Sequence, residues 1–364
     1  MQRFIQNATQ IMRKRHLKIY LVILMLFGTK RSNYCRLLYD YIEKKEILWF
    51  HKFGDKNKDK MIFMISVGDP QIDKTNVCTN GFFSLMDVFT IRKLDIADRL
   101  GFLPYVNWGR DVIFAEDELI NGTQNAFEYY FEQVSLLTKE EVYHSKNVCF
   151  AHELNLKELI ADGDLYNADG AEMDRYVYLY KKYIRLNTYM QEYIASEIKN
   201  LGINERTLAV HIRGVEWGNI KDHPIPVLLE KYMKYIDKLL GSNYYDQIFI
   251  ATDSEESLDQ IVSHYGKKVL FYPETSRTPK GSKKLVIFNE EQKINEKYNL
   301  GVEVIRDMLS LAECGGLIAG LSNVSFFARC EKRSRGDSFM DEVILNNGIL
   351  SGKGKKVKSC IKNK

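Results

Sequence analysis

One alternation dominates the second half of the sequence. Short apolar runs at 208–212 (LAVHI), 248–252 (IFIAT), 269–272 (VLFY) and 317–319 (LIA) are separated by helix-length stretches at 227–240, 255–265 and 302–312. Strands joined through helices cannot pair as hairpins. The crossover makes them parallel, so the pattern predicts a parallel sheet with helices packed on its faces. In such sheets ligands collect at the carboxyl ends of the strands. The residues just after each run are therefore where chemistry is expected.

The first half repeats the pattern less clearly. Residues 61–67 (MIFMISV) and 103–108 (LPYVNW) are predicted strands, joined by a loop with Asp69, Pro70, Asn80 and Gly81 and a helix over 85–100. The aromatic run 125–133 (NAFEYYFEQ) is expected to be helical. A long helix is expected over 173–198, where Tyr176, Leu179, Tyr180, Tyr183, Ile184, Met190, Ile194 and Ile198 keep one face apolar, and Asn200 and Gly202 end it. A chain of 364 residues accommodates two domains. The expected organisation is a basic and apolar N-terminal extension (1–59), a first βα domain (60–202), a second (203–350) and a basic tail (351–364). The fold class is α/β, with two Rossmann-like domains facing a cleft.

Composition excludes several functions. Hydrophobic residues at 45% against 27% charged exclude a disordered chain. The net charge of +4 is confined to the ends: residues 1–39 carry eight Lys/Arg and no acid, and 351–364 carry six Lys and no acid. Between them 38 basic residues face 48 acidic ones, which argues against nucleic acid as a partner. The basic ends fit peripheral contact with an anionic membrane, or solvated tails. The nine apolar residues 19–27 are too short to span a bilayer, which takes about 20. They read either as an interfacial segment or as a buried element of the fold. Six cysteines without a CxxC pair or a disulfide spacing point to a reducing cytoplasm, including the cytoplasmic face of a membrane. The seven histidines form neither HExxH nor HxH, so no protein-bound catalytic metal is expected.

Four features stand out. His211-Ile212-Arg213-Gly214-Val215-Glu216 closes the first strand of the second block. Alternation puts His211 and Arg213 on one face, Arg213 offers a rigid donor fork for phosphate, and Gly214 lets the backbone approach a ligand. The bland alternative is an Arg213–Glu216 ion pair. Asp253, after the second strand, and Ser254 beside it fit a ligand contact or a helix cap. Ser322-Asn323-Val324-Ser325 forms a turn before a helix, where N–H groups and hydroxyls suit an anion or simply cap the helix. Asp307 lies on the preceding helix. Arg213 and the 322–325 turn together suit a diphosphate held without a metal. GxxxxGK[ST] and a GxGxxG after the first strand are both absent, which excludes a P-loop and a dinucleotide fold. Asp162-Gly163-Asp164 has DxD form but reads as a turn.

The order His211-Ile212-Arg213, Ile250-Ala251-Thr252-Asp253, Asp307 and Ser322-Asn323-Val324-Ser325 resembles the fucosyltransferase superfamily of α-1,2-, α-1,6-, peptide-O- and nodulation fucosyltransferases. The resemblance covers about 60–345 and is stronger in the second half. It implies a GT-B-type fold and an inverting, metal-independent transfer from GDP-fucose to a glycan or lipid-linked glycan in polysaccharide synthesis. By the same resemblance Arg213 binds the β-phosphate, His211 lines the nucleotide site with Gly214, and Asp253 and Asp307 sit near guanine and ribose. Ser322, Asn323, Val324 and Ser325 hold phosphate. Glu216 is the candidate base, and Gly81 with Phe82 a candidate cleft loop. Many relatives carry a second basic residue after the Arg, where this sequence has Gly214. Another nucleotide-sugar donor in the same cleft, or an inactive membrane-surface scaffold, are the competing readings.

Overall fold

In a computed structural model of the chain, the described residues are 47–67, 77–152, 170–214, 223–282, 296–350 and 356–357. They fall into two compact units. The first contains 47–67, 77–78, 85–111 and 133–152; the second contains 79–84, 112–132, 170–214, 223–282, 296–350 and 356–357. Residues 1–46, Asp69, Pro70, Asp162-Gly163-Asp164, Glu216 and all of the 351–364 tail except 356–357 lie outside the described residues. Among the described residues no helix is long and apolar enough to cross a membrane.

Unit one is built on four strands, β1 (Ile47–His51), β2 (Ile62–Ser66), β3 (Leu103–Asn107) and β4 (Val148–His152), in the order β1-β4-β2-β3. β2 is parallel to β3 and to β4, and β1 pairs antiparallel with β4 at the edge. β2 is buried at every position, as a parallel strand covered on both faces must be. Its crossover to β3 is helical. Helix α1 (Phe82–Met86) passes through a π-helical turn, Asp87–Ile91, into α2 (Arg92–Leu100). Arg92 clamps Asp87 across that turn with two hydrogen bonds of 2.8 and 2.9 Å. Gly101, at φ 67°, ends α2 in the left-handed conformation that glycine adopts without penalty. A capping box on Thr138 and Glu141 starts the short α3 (Lys139–Val142) ahead of β4.

Unit two continues with α4 (Gly170–Tyr183), α5 (Thr188–Leu201), β5 (Thr207–Ile212), α6 (Leu229–Leu240), β6 (Gln247–Thr252), α7 (Glu255–Tyr265), β7 (Val269–Leu270), α8 (Glu296–Glu313), β8 (Gly316–Gly320), α9 (Asn323–Ser334) and β9 (Asp341–Leu345). Two-residue strands β10 (Ile349–Leu350) and β11 (Lys356–Val357) pair with each other. The main sheet has five strands in the order β7-β6-β5-β8-β9, every neighbouring pair parallel. The chain enters at the central β5, walks outward to β7, then returns to the other side of β5 with β8. The winding order therefore reverses between β5 and β8, the Rossmann-type arrangement. Amphipathic α6 covers one face, packing Tyr232, Ile236 and Leu239 among Val210, Ile212, Ile250 and Ile318.

The α/β class with parallel sheets agrees with the sequence. Three local expectations do not. Residues 173–198 form two helices rather than one, because Asn187 caps α5 by accepting the Met190 N–H at 3.0 Å. Residues 125–133 are turns ending in a bridge between Phe131 and Leu186, with Phe127, Tyr129, Tyr130 and Phe131 buried. Burial of aromatic rings, not helical periodicity, explains that run. Ile47–His51 lies inside the segment expected to be an extension, yet it is a strand of the sheet. Its partner β4, about a hundred residues away, was itself not legible in the sequence, nor was the fifth strand β9.

Candidate functional site

Three chain segments meet at the carboxyl edge of the five-stranded sheet. Within it His211 of β5 lies in register with Ala251 of β6 and Ala319 of β8, and Ile212 lies in register with Thr252. The residues that follow, Arg213-Gly214, Asp253-Ser254 and Leu321-Ser322, therefore emerge side by side. They flank β5 on both sides, at the reversal in strand order where open α/β sheets bind ligands.

Each segment has a local reason for its geometry. Asp253 accepts the buried Gly214 N–H through Oδ1 at 2.7 Å. Ser254, not Asp253, caps α7, accepting the Ser257 N–H at 3.3 Å. This leaves the Asp253 carboxylate for its neighbour strand. The Asp253 carbonyl in turn accepts the Thr278 N–H at 2.8 Å, and Ser254 bridges to Thr278. The loop after β7 is thereby drawn to the end of β6.

Ser322 caps α9 by accepting the Val324 N–H at 3.2 Å. Ser325 turns its hydroxyl inward, donating to the carbonyls of Gly320 at 3.1 Å and Ser322 at 3.0 Å. Its hydroxyl proton is thus committed to the turn, which leaves its backbone N–H as the group that faces an anion at the helix start. The remaining first-turn N–H groups have no acceptor within the helix and, with the helix dipole, suit an anion. The Oδ1 of Asn323 is buried without a hydrogen-bond partner.

His211 is 7% exposed, and its Nδ1 is buried without a partner. Burial pulls its pKa down to about 4; Asp253 opposes and Arg213 reinforces that shift. The ring is neutral at physiological pH, so it contributes a hydrogen bond rather than a charge. Tyr232 of α6 is a site residue the sequence did not single out. A Cβ on Gly320 would lie 2.5 Å from the Tyr232 hydroxyl, so the turn between β8 and α9 packs directly on that ring. A side chain at 320 would have to displace that ring or the turn, a requirement that a glycine at a strand end signals faintly.

Asp307 belongs to a second, connected cluster. It is partly buried on α8, and burial raises its carboxyl to about 7 against the pull of Arg306 and Arg277. Arg306 is 1% exposed; it pairs with Glu274 and, at 3.5 Å, with Glu197, donates to Thr275 Oγ1 at 2.8 Å and lies 3.8 Å over the Tyr272 ring. Arg277 donates to the carbonyls of Tyr272 and Thr275 at 2.9 and 3.0 Å. It directly precedes Thr278, which links this cluster to Asp253. The resemblance pointed to Asp307 and not to the arginines: Arg277 lies in a loop after a strand of only two residues, and Arg306 is one more charged residue of α8.

Phe82 is 3% exposed and packs edge-on against Phe114 and Tyr130, so its ring is core rather than a cleft wall. Open space surrounds the position a Cβ would take on Gly81. Glu216 lies outside the described residues. Among the described residues no group of three or more His, Cys, Asp or Glu side chains is placed to hold a metal ion.

No protein-family model matches the chain, and no curated protein matches it. Solved structures similar to it include the fucosyltransferase NodZ from Bradyrhizobium, 17% identical over 74% of this chain and 92% of that one, with a TM-score of 0.42. They also include NodZ alpha-1,6-fucosyltransferase soaked with GDP-fucose (17% identity, the same coverage, TM-score 0.44). A third is POFUT1 in complex with GDP, 12% identical over 80% of this chain and 99% of that one, with a TM-score of 0.41.

Proposed function

We propose that this chain is a glycosyltransferase that binds a nucleoside-diphosphate sugar at the carboxyl edge of the five-stranded sheet. One observation carries the reading: Arg213, the Asp253-clamped Gly214 and the N-terminus of α9 emerge side by side at the reversal of strand order. Glycosyl transfer leaves negative charge growing on the departing diphosphate. A guanidinium fork and preorganised N–H groups stabilise such charge without needing a metal. His211 supplies a neutral hydrogen-bonding group beside them. The sugar and base follow from the sequence resemblance: the donor is GDP-fucose, transferred with inversion to a glycan or lipid-linked glycan acceptor of polysaccharide synthesis. Glu216 is the proposed base. The absence of disulfide spacing supports work in the cytoplasm, and the basic ends support peripheral contact with a membrane.

Thermal stability across GDP, UDP, ADP, CMP and TDP, each with and without magnesium, tests the reading. A melting-temperature rise with GDP alone, unchanged by magnesium, is the expected result. A rise with another base keeps the site and overturns the donor. No rise with any nucleotide overturns the glycosyltransferase reading.

A further inference from the structure

Unit one holds a buried charge that has no counter-charge among the described residues. Lys93 of α2 is 5% exposed. Its ammonium donates to the Ser66 carbonyl at 3.0 Å and lies 5.0 Å from the Phe89 ring centroid. Among the acids of its own helical segment, Asp87 takes both hydrogen bonds of Arg92, Asp95 pairs with Arg99 through Oδ1 at 2.9 Å, and neither these nor Asp98 pairs with Lys93. Among the described residues no carboxylate pairs with Lys93. An ammonium withdrawn from water unpaired costs several kcal/mol, which an apolar side chain of similar volume avoids. Burial accordingly pulls its pKa down to about 8, with only Cys78 opposing.

Its place in the topology gives that cost a purpose. Ser66 ends β2, and β2 is the strand about which unit one reverses its winding, with β3 on one side and β4 on the other. Ser66 lies in register with Asn107, the last residue of β3, and Trp108 after it is fixed by an indole hydrogen bond of 2.9 Å to Thr90. Lys93 thus stands at the carboxyl end of the central parallel strands, the ligand position of an open α/β sheet. Of its three donors one serves Ser66, and among the described residues no acceptor takes the other two.

We propose that Lys93 anchors an anion site at the carboxyl end of β2 that takes a carboxylate or phosphate oxygen of an acidic glycan acceptor. The ligand supplies the missing counter-charge through a charge-assisted hydrogen bond. Naming the ligand an acceptor rests on the glycosyltransferase reading; the anion site itself does not.

The test is thermal stability of the full chain, with GDP present to occupy the nucleotide site, titrated with glucuronate, inorganic phosphate and neutral glucose, in wild type and Lys93→Met. The expected result is a saturable rise with an acidic probe and none with glucose. Lys93→Met is expected to melt higher than wild type and to bind that probe roughly tenfold or more weakly. A response to glucuronate but not phosphate assigns a carboxylate; the reverse assigns a phosphate. The proposal is overturned if no acidic probe acts through Lys93, or if Lys93→Met melts lower, which makes the ammonium structural. Failure of GDP to stabilise either protein sinks the glycosyltransferase reading without touching the Lys93-dependent response.

Discussion

The carboxylate of Asp253 accepts the Gly214 N–H at 2.7 Å, joining the residue that follows β6 to the loop that leaves β5. Gly214 is buried, so without that acceptor its donor would be orphaned at a cost of roughly 1–3 kcal/mol. The bond also fixes the peptide that carries Arg213. Asp253 is thereby a positioning residue for the guanidinium, and Ser254 takes over the cap of α7.

Asp253→Ala is expected to weaken GDP binding roughly tenfold or more, because it frees the Arg213 peptide and orphans the Gly214 donor. Asp253→Asn keeps an acceptor oxygen and should retain most of the affinity. Calorimetric titration with GDP distinguishes the two. Equal affinity in Asp253→Ala and wild type would show that the clamp does not serve the nucleotide.

Arg213 carries the charge argument directly. Arg213→Ala is expected to lower kcat by roughly 10²- to 10³-fold, the usual consequence of losing one preorganised donor to a developing anion. Arg213→Lys keeps the charge and loses the planar fork, so it should recover only part of the rate. Donor turnover measured with GDP-fucose gives the answer, and a rate for Arg213→Ala near wild type would remove Arg213 from the chemistry.

Two titratable groups withdrawn from water shape the pH dependence of stability, in opposite senses. Asp307 has its carboxyl raised to about 7 from an ordinary 3.8, so the folded chain holds that proton more tightly than the unfolded one. The cost of the ionised carboxyl is complete above about pH 7 and is relieved as pH falls toward 4. His211 is lowered to about 4 from 6.5, so its cost is absent above about pH 6.5 and grows as pH falls toward 4. Asp307→Asn should therefore melt higher than wild type at pH 8, with the gain shrinking toward pH 5. His211→Gln should lose less stability than wild type on going from pH 7 to pH 5. Melting curves at these pH values check both signs; a pH-independent gain in Asp307→Asn would mean that its carboxyl titrates normally.

Much of the site was legible because parallel strands end in a fixed place. Once 208–212, 248–252 and 317–319 are read as strands of one parallel sheet, the residues after them must share an edge, and His211, Arg213, Asp253 and Ser322 do. Long-range pairing was not legible. Ile47–His51 has no local sign of a partner about a hundred residues away, and apolar spacing runs through the break at Asn187 because α4 and α5 each keep a buried face. The direction of a hydroxyl was also beyond the sequence. Ser325 has the residue type of a phosphate ligand, and only the turn shows that its proton goes to Gly320 and Ser322. Arg277 was hidden for a similar reason: a two-residue strand gives no period from which to place the loop after it.

The contact between Gly320 and Tyr232 yields a prediction with an internal control. A Cβ on Gly320 would stand 2.5 Å from the Tyr232 hydroxyl, closer than van der Waals contact allows, and Tyr232 is itself buried on α6. Gly320→Ala must therefore displace either the ring or the turn that leads into α9, at a cost of roughly 1–3 kcal/mol typical of overpacking. If the turn moves, the N–H groups at the start of α9 move with it, and GDP binding weakens along with stability. Tyr232→Phe removes the offending oxygen. Gly320→Ala should then cost less in the Tyr232→Phe background than in wild type, with a coupling of roughly 0.5–3 kcal/mol by denaturant unfolding. Purely additive costs would mean that the ring already has room to give, and that Gly320 is not held to its size by Tyr232.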